Sequence, residues 1–151
     1  MEEKDFELRL TLESGYRMIV DFGGDIPPTA MDEPEPLGAG TGPNPARMLA
    51  SAVGGCLGAS LMFCLRRARA EVGAMQVDVR GRMVRNDRGR LRIGGLVVTL
   101  RPEMAEEDRE RITRCVSLFE DYCVVSESVR RGIPIEVEVA PVPLQAIVGT
   151  A

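Results

Sequence analysis

Apolar and polar residues alternate along residues 4–12, where Phe6, Leu8, Leu10 and Leu12 sit between charged or polar neighbours. A period of two places them on one side of a half-buried strand. Ser14-Gly15 is a turn signal, and Tyr16–Phe22 reads as the hairpin partner. Residues 23–44 lose the pattern and carry Pro27, Pro28, Pro34, Pro36 and Pro43 among glycines and acids. A structureless run of that length is uncommon in a compact domain and is often a functional lid or arm. Asn44 is a good N-cap and Pro45 suits the first helical position. The helix is predicted from Pro45 to about Val72, with Arg66, Arg67 and Arg69 favoured by its C-terminal dipole and Gly73 ending it. Met48 to Leu65 carries no charge, which touches the length of a membrane span. Ser51, Ser60 and three glycines inside it, with soluble alternation elsewhere, favour a buried central helix instead.

Ala74–Asn86 and Arg90–Leu100 predict a long hairpin turning at Asn86-Asp87-Arg88-Gly89. Pro102 is expected to start a second helix, with Glu103, Glu106, Glu107 and Asp108 near its positive end. Ile112, Cys115, Val116, Phe119 and Cys123 follow helical spacing and form one apolar face. A short turn or helix leads to Gly132, and Ile133–Val139 alternates as a final strand. Nothing regular is expected after Pro141. The order ββ-α-ββ-α-β is an α+β pattern, with antiparallel sheet and helices on one side, in a single domain over 1–151.

Composition narrows the chemistry. The 151 residues are 44% hydrophobic and 28% charged, as in a soluble globular protein. There is no histidine, no tryptophan, and one lysine, Lys4, beside 18 arginines. Zero histidine removes Ser-His-Asp and Cys-His mechanisms and every imidazole metal site. A lone N-terminal lysine leaves no Walker lysine and no Schiff-base lysine in the body of the chain. Whatever chemistry remains must come from thiol, carboxylate, guanidinium, hydroxyl or backbone. The net charge of −4 is uneven: −7 over residues 1–36, +8 over 47–101 and −5 over 102–151. Such asymmetry can mark a nucleic-acid surface. Yet the basic stretch holds one aromatic, Phe63, and Arg80, Arg82, Arg90 and Arg92 suit the solvated face of a hairpin. Neither nucleic acid nor membrane is expected as a partner.

Four cysteines remain: Cys56, Cys64, Cys115 and Cys123, with no CxxC spacing. MEEKDFELRL is charged and lacks an apolar signal core, so a cytoplasmic location with mostly reduced thiols is expected. Two neighbourhoods stand out. Asn44 to Cys56 reads NPARMLASAVGGC, with Gly54, Gly55 and Gly58 inside a helix, where each costs about 1 kcal/mol relative to alanine. Either another backbone packs tightly there, as in a helix–helix crossing, or a ligand must approach Cys56. Asp121 to Ile133 reads DYCVVSESVRRGI and places Cys123 at the end of an apolar face, where a chain reversal could bring it toward Cys56.

A proline-led helix with GGC, two strands, a second helix, then C-x-x-S and a G-I-x-I strand resembles the OsmC/Ohr family of osmotically induced and organic-hydroperoxide-resistance proteins. The resemblance spans about Gly15 to Val139, and the DYCVVSESVRRGI run is most similar to the OsmC-like branch. It implies antiparallel sheets wrapped around a long central helix in an intertwined homodimer. It also implies a thiol peroxidase: Cys56 attacks an organic hydroperoxide and becomes a sulfenic acid, Cys123 resolves it as a disulfide, and a dithiol reductant restores the pair, with no metal or bound cofactor needed. An ordinary cysteine has a pKa of about 8.5, so a nearby cation is needed. The family supplies an arginine held by a glutamate, and Arg17 is the match. The family pattern P-E-x-L here reads Pro45-Ala46-Arg47-Met48, so Ala46 replaces that glutamate, and Glu33, Glu35 or Glu127 are the substitutes to consider. Val124 replaces the proline common after the second cysteine. Cys64 and Cys115 fall outside the motif and read as packing residues. The alternative function is a dimeric small-molecule-binding protein with a vestigial cysteine pair.

Overall fold

The computed structural model describes residues 4–147. The chain gathers into two compact units. One holds the described residues up to Met48 together with those from Glu136 onward, and the other is Leu49–Ile135.

In the first unit, β1 (Arg9–Ser14) and β2 (Arg17–Asp21) form the expected hairpin, with Leu10 opposite Val20 and Leu12 opposite Met18. Gly15 makes the turn at φ +53°, a left-handed conformation that favours glycine. β1 is shorter than the alternation suggested. Phe6 and Leu8 lie before it, exposed, because no partner strand reaches them. The proline-rich segment is not featureless: β3 (Thr29–Met31) adds to β2, with Ala30 opposite Ile19. The buried Asp32 carboxylate then accepts hydrogen bonds from the Thr41 amide (3.0 Å) and hydroxyl (2.7 Å), closing the loop on itself. Thr41 holds this carboxyl below the usual aspartate range, against the opposing effect of burial.

Helix α1 runs Pro45–Arg67. Asn44 caps it, accepting the Arg47 amide on Oδ1 at 3.0 Å. It ends five residues before Val72, because Arg69 takes a left-handed φ of +58° and Gly73 already belongs to the next strand. β4 (Val72–Arg85) and β5 (Leu91–Met104) form the long hairpin, with Val77 opposite Leu100 and Val79 opposite Val98. Pro102 does not start a helix. It lies in β5 opposite Met75, beside a register shift where a missing amide disturbs the pairing least.

The expected second helix is broken into a 3-10 turn, a helix and another 3-10 turn, and the short element expected before Gly132 is a helix. A 3-10 turn at Glu106–Asp108 leads into α2 (Arg109–Val116), a second 3-10 turn covers Phe119–Tyr122, and α3 is Val124–Arg131. Asp108 anchors the start of α2: its carboxylate accepts the Glu71 amide at 2.7 Å and pairs with Arg111 at 3.0 Å. Arg130 clamps α3 to the preceding turn through Glu120 and Glu127. Gly132, at φ +79°, ends α3. Ile133–Val139 forms no strand in the single chain. Its alternation is intact, but no ladder partner satisfies its backbone among the described residues, and Ile135, Val137 and Val139 are each more than 80% exposed.

The core of the second unit is Val53, Leu57, Leu61 and Leu65 of α1 with Cys115, Phe119 and Cys123. α1 is long and apolar enough to cross a membrane by composition, with mean hydropathy 1.9 over its apolar stretch. In this unit one of its faces packs against β4. A Cβ on Gly54 would lie 2.6 Å from Val79 Cγ2, and one on Gly58 would lie 3.1 Å from Val77 Cγ2. These glycines serve a helix–sheet contact rather than the helix–helix crossing also considered. Gly55 has open space around its Cα.

Candidate active site

Cys56 and Cys123, 67 positions apart in sequence, carry free thiols in hydrogen-bond contact. Cys56 lies in the middle of α1 and is partly exposed, whereas Cys123 is fully buried. Cys123 is also the N-cap of α3, its carbonyl accepting the Glu127 amide at 3.1 Å. The break between α2 and α3 therefore sets Cys123 at a helix N-terminus facing α1. A continuous second helix would have placed it on a helix flank.

This geometry supplies the electrostatics. The first amides of α3 point at sulfur: Val125 and Ser126 donate to Cys56, and Ser126 also donates to Cys123. Burial pushes the Cys56 thiol up, and donating its S–H to Cys123 pushes it further. Burial also opposes charge on Cys123. Hydrogen bonds from Cys56, from the Ser126 hydroxyl and amide, and from Ser60 outweigh it and hold Cys123 below the ordinary cysteine range. The pair thus has one protonated sulfur near the surface and one thiolate-favouring sulfur beneath it. The Ser126 hydroxyl is buried and makes no hydrogen bond of full geometry among the described residues, so its pull on the Cys123 thiolate is that of a nearby donor free to turn toward the sulfur. Ser126 also lines a cavity of about 470 Å³ whose other walls include Val53, Leu57, Leu96 and Phe119, with Arg130 and Glu120 beside them.

Arg17 sits on β2 in the first unit. Its Nε donates to Glu13 at 2.5 Å, and its Nη1 donates to the Thr41 carbonyl and hydroxyl at 3.0 and 2.9 Å. The carboxylate that holds it is Glu13, four residues earlier across the hairpin, and not one of the three glutamates considered. Glu127 is engaged instead by Arg130 and Arg131. Sequence reasoning sought the partner at position 46 of α1, then at Glu33, Glu35 and Glu127; the signal was the i, i+4 pair flanking Ser14-Gly15. Ser60 and Ser126 were also missed as site residues. Ser126 is the serine of C-x-x-S, and Ser60 is one helical turn from Cys56.

Cys64 and Cys115 are more than packing residues: they are joined by a disulfide, with Cα atoms 5.7 Å apart. Cys115 is buried and Cys64 half-buried. Among the described residues, no group of three or more cysteine, aspartate or glutamate side chains is placed to hold a metal ion.

No curated protein sequence matches the chain significantly. Solved structures do. An OsmC-like protein of unknown function from Vibrio cholerae superposes with a TM-score of 0.72 at 12% identity, covering 83% of this chain and 94% of that one. An OsmC-like protein from Mycoplasma pneumoniae gives 0.69 at 14% identity, covering 85% and 89%. The organic hydroperoxide resistance protein OhrB of Bacillus subtilis gives 0.57 at 20% identity, covering 83% and 91%. At these identities the likeness establishes the fold, an antiparallel α+β architecture around a long central helix. The sequence profile described as OsmC-like protein matches residues 38–138, which include both free cysteines and the whole of the second unit, and on that match the chain belongs to the OsmC-like protein family.

Proposed function

We propose that this protein reduces organic hydroperoxides with the Cys56/Cys123 pair. The observation that carries the reading is the meeting of two free thiols: a partly exposed one able to meet substrate and a buried one held toward thiolate by Cys56, Ser126 and Ser60. As Cys56 attacks the distal oxygen of RO–OH, its proton passes to the Cys123 thiolate. The O–O bond breaks, and the departing alkoxide takes that proton and leaves as the alcohol. Cys56 is now a sulfenic acid and Cys123 a thiolate again. Cys123 attacks the Cys56 sulfur, the S–O bond breaks, and hydroxide leaves and is protonated to water. The pair has lost two electrons to the hydroperoxide. A dithiol reductant returns them by exchange and is itself oxidised to a disulfide. The apolar cavity at Ser126 suits the organic part of the substrate. A second copy of the chain completes the fold, and the cytoplasm, where dithiol reductants are available, suits the cycle.

One equivalent of cumene hydroperoxide should remove two hydrogens from the intact mass, mapped by peptide analysis to a Cys56–Cys123 bond. Turnover with dihydrolipoamide should vanish in Cys56→Ser. Absence of both the new bond and turnover in the unsubstituted protein overturns the reading. The second reading, a binding protein with a vestigial pair, is favoured by Ala46 in place of the family glutamate. It predicts uptake of an apolar ligand in the Ser126 cavity without consumption of hydroperoxide.

A further inference from the structure

The Cys64–Cys115 bond lies in the wall of a second cavity, about 730 Å³, which the peroxidase reading leaves unused. The cavity is bounded by Ser60, Phe63, Arg67, Arg111, Arg114 and Tyr122. We propose that Cys64–Cys115 is a second, reversible thiol–disulfide centre, opened from this cavity by small anionic thiols.

Three features support it. First, the bond is reachable. Both cysteines line the cavity, but Cys64 is half-buried and Cys115 is 1% exposed, so an entering thiolate meets Cys64 first. This fixes the direction of attack. A thiolate RS⁻ bonds to the Cys64 sulfur, the Cys64–Cys115 bond breaks, and Cys115 leaves as the thiolate. A second RS⁻ attacks the R sulfur of the mixed disulfide, releasing Cys64 as thiolate and RSSR as product. Two electrons enter the protein and two thiols are oxidised.

Second, the cavity carries the charge that this chemistry uses. Arg67, Arg111 and Arg114 line it against a single carboxylate, Glu110. Arg111 is paired with Asp108, but Arg67 and Arg114 have no carboxylate partner among the described residues. Arg67 lies over the Phe63 ring, 5.7 Å from its centre. Guanidinium groups that stay charged at any working pH attract an anionic thiol and stabilise a leaving thiolate. Third, the cavity adjoins the first pair through Ser60, which lines it and also donates to Cys123. The bond closes a segment 51 residues long and ties α2, which leads to Cys123, onto α1, which carries Cys56. Opening it loosens the connection that brings those two sulfurs together.

The test uses the full chain with Cys56→Ser and Cys123→Ser, so its result is independent of the peroxidase reading. Protein isolated without reductant is exposed to 3-mercaptopropionate, 2-mercaptoethanol or cysteamine, which are negative, neutral and positive. Freed thiols are followed by alkylation and mass. Each rate is divided by the same thiol's rate toward bis(2-hydroxyethyl) disulfide, which removes intrinsic nucleophilicity. The bond should be present at the start, open in the folded protein and reform on reoxidation. The normalised rate should fall about tenfold from the anionic to the cationic thiol, and added salt should compress that ratio. Arg67→Gln with Arg114→Gln should flatten it; the salt series gives the same readout if that variant does not fold. Absence of the bond, opening only in denaturant, or rates indifferent to thiol charge overturn the proposal.

Discussion

Cys123 meets its hydrogen-bond donors at one buried sulfur: Cys56, Ser126 by hydroxyl and amide, and Ser60. Each favours the thiolate, so the folded pair takes its first negative charge at a lower pH than an unperturbed cysteine. As pH falls through that pKa the pair becomes fully protonated and its reactivity is lost. Ser126→Ala removes a donor, raises the pKa and should move the acid limb of alkylation by iodoacetamide to higher pH. An unmoved limb would remove Ser126 from this role. Arg17→Gln is the contrast. If the guanidinium supplies the charge stabilisation that the family resemblance implies, it shifts the limb as well; if α3 alone supplies it, only Ser126→Ala does. At this scale Cys56 and Cys123 were legible in GGC and C-x-x-S. The Cys64–Cys115 bond was not, because a separation of 51 residues says nothing by itself about proximity. Nor was Glu13 at Arg17, since the family pattern directed attention to α1.

Among the elements, α1 shows most directly how sequence and packing meet. Gly54→Ala drives a methyl into Val79 and should destabilise the fold by roughly 1–3 kcal/mol. Gly55→Ala meets open space and should stabilise it by up to about 1 kcal/mol through helix propensity alone. Urea midpoints of the two variants check both; equal shifts would mean that β4 does not depend on that glycine. Local chemistry made several boundaries readable: the Asn44 cap, Pro45, and the Asn86–Arg90 turn, where the Asn86 side chain accepts the Arg88 and Arg90 amides at 3.1 and 3.0 Å. It misled where long-range pairing prevailed. The β4–β5 ladder carries through Pro102 to Met104, and the apolar face read from Ile112 to Cys123 is shared by α2 and a 3-10 turn rather than by one helix. β3 was hidden because three residues among prolines carry no periodicity.

At the scale of the molecule, one chain leaves apolar surface without cover. Ile133, Ile135, Val137 and Val139 alternate in sequence with Pro134, Glu136 and Glu138, belong to no strand, and are all strongly exposed. A strand needs a ladder, and a second copy can supply one, as the reading of an intertwined dimer expects. Light scattering at micromolar concentration should give twice the chain mass, and Ile135→Lys with Val137→Lys should return it to one. A monomeric mass for the unsubstituted protein would set the dimer aside. The two cysteine pairs impose a different constraint, on length. Cys64 lies eight residues after Cys56, and Cys115 lies eight before Cys123, so the partners meet as two rungs between segments of opposite direction. On α1 those eight residues measure about 12 Å. The segment from Cys115 to Cys123, although it breaks into separate turns, must span the same interval. Its irregular course is thus a spacer of fixed length: one residue added or removed between Cys115 and Cys123 would leave the disulfide in place and carry Cys123 past its partner.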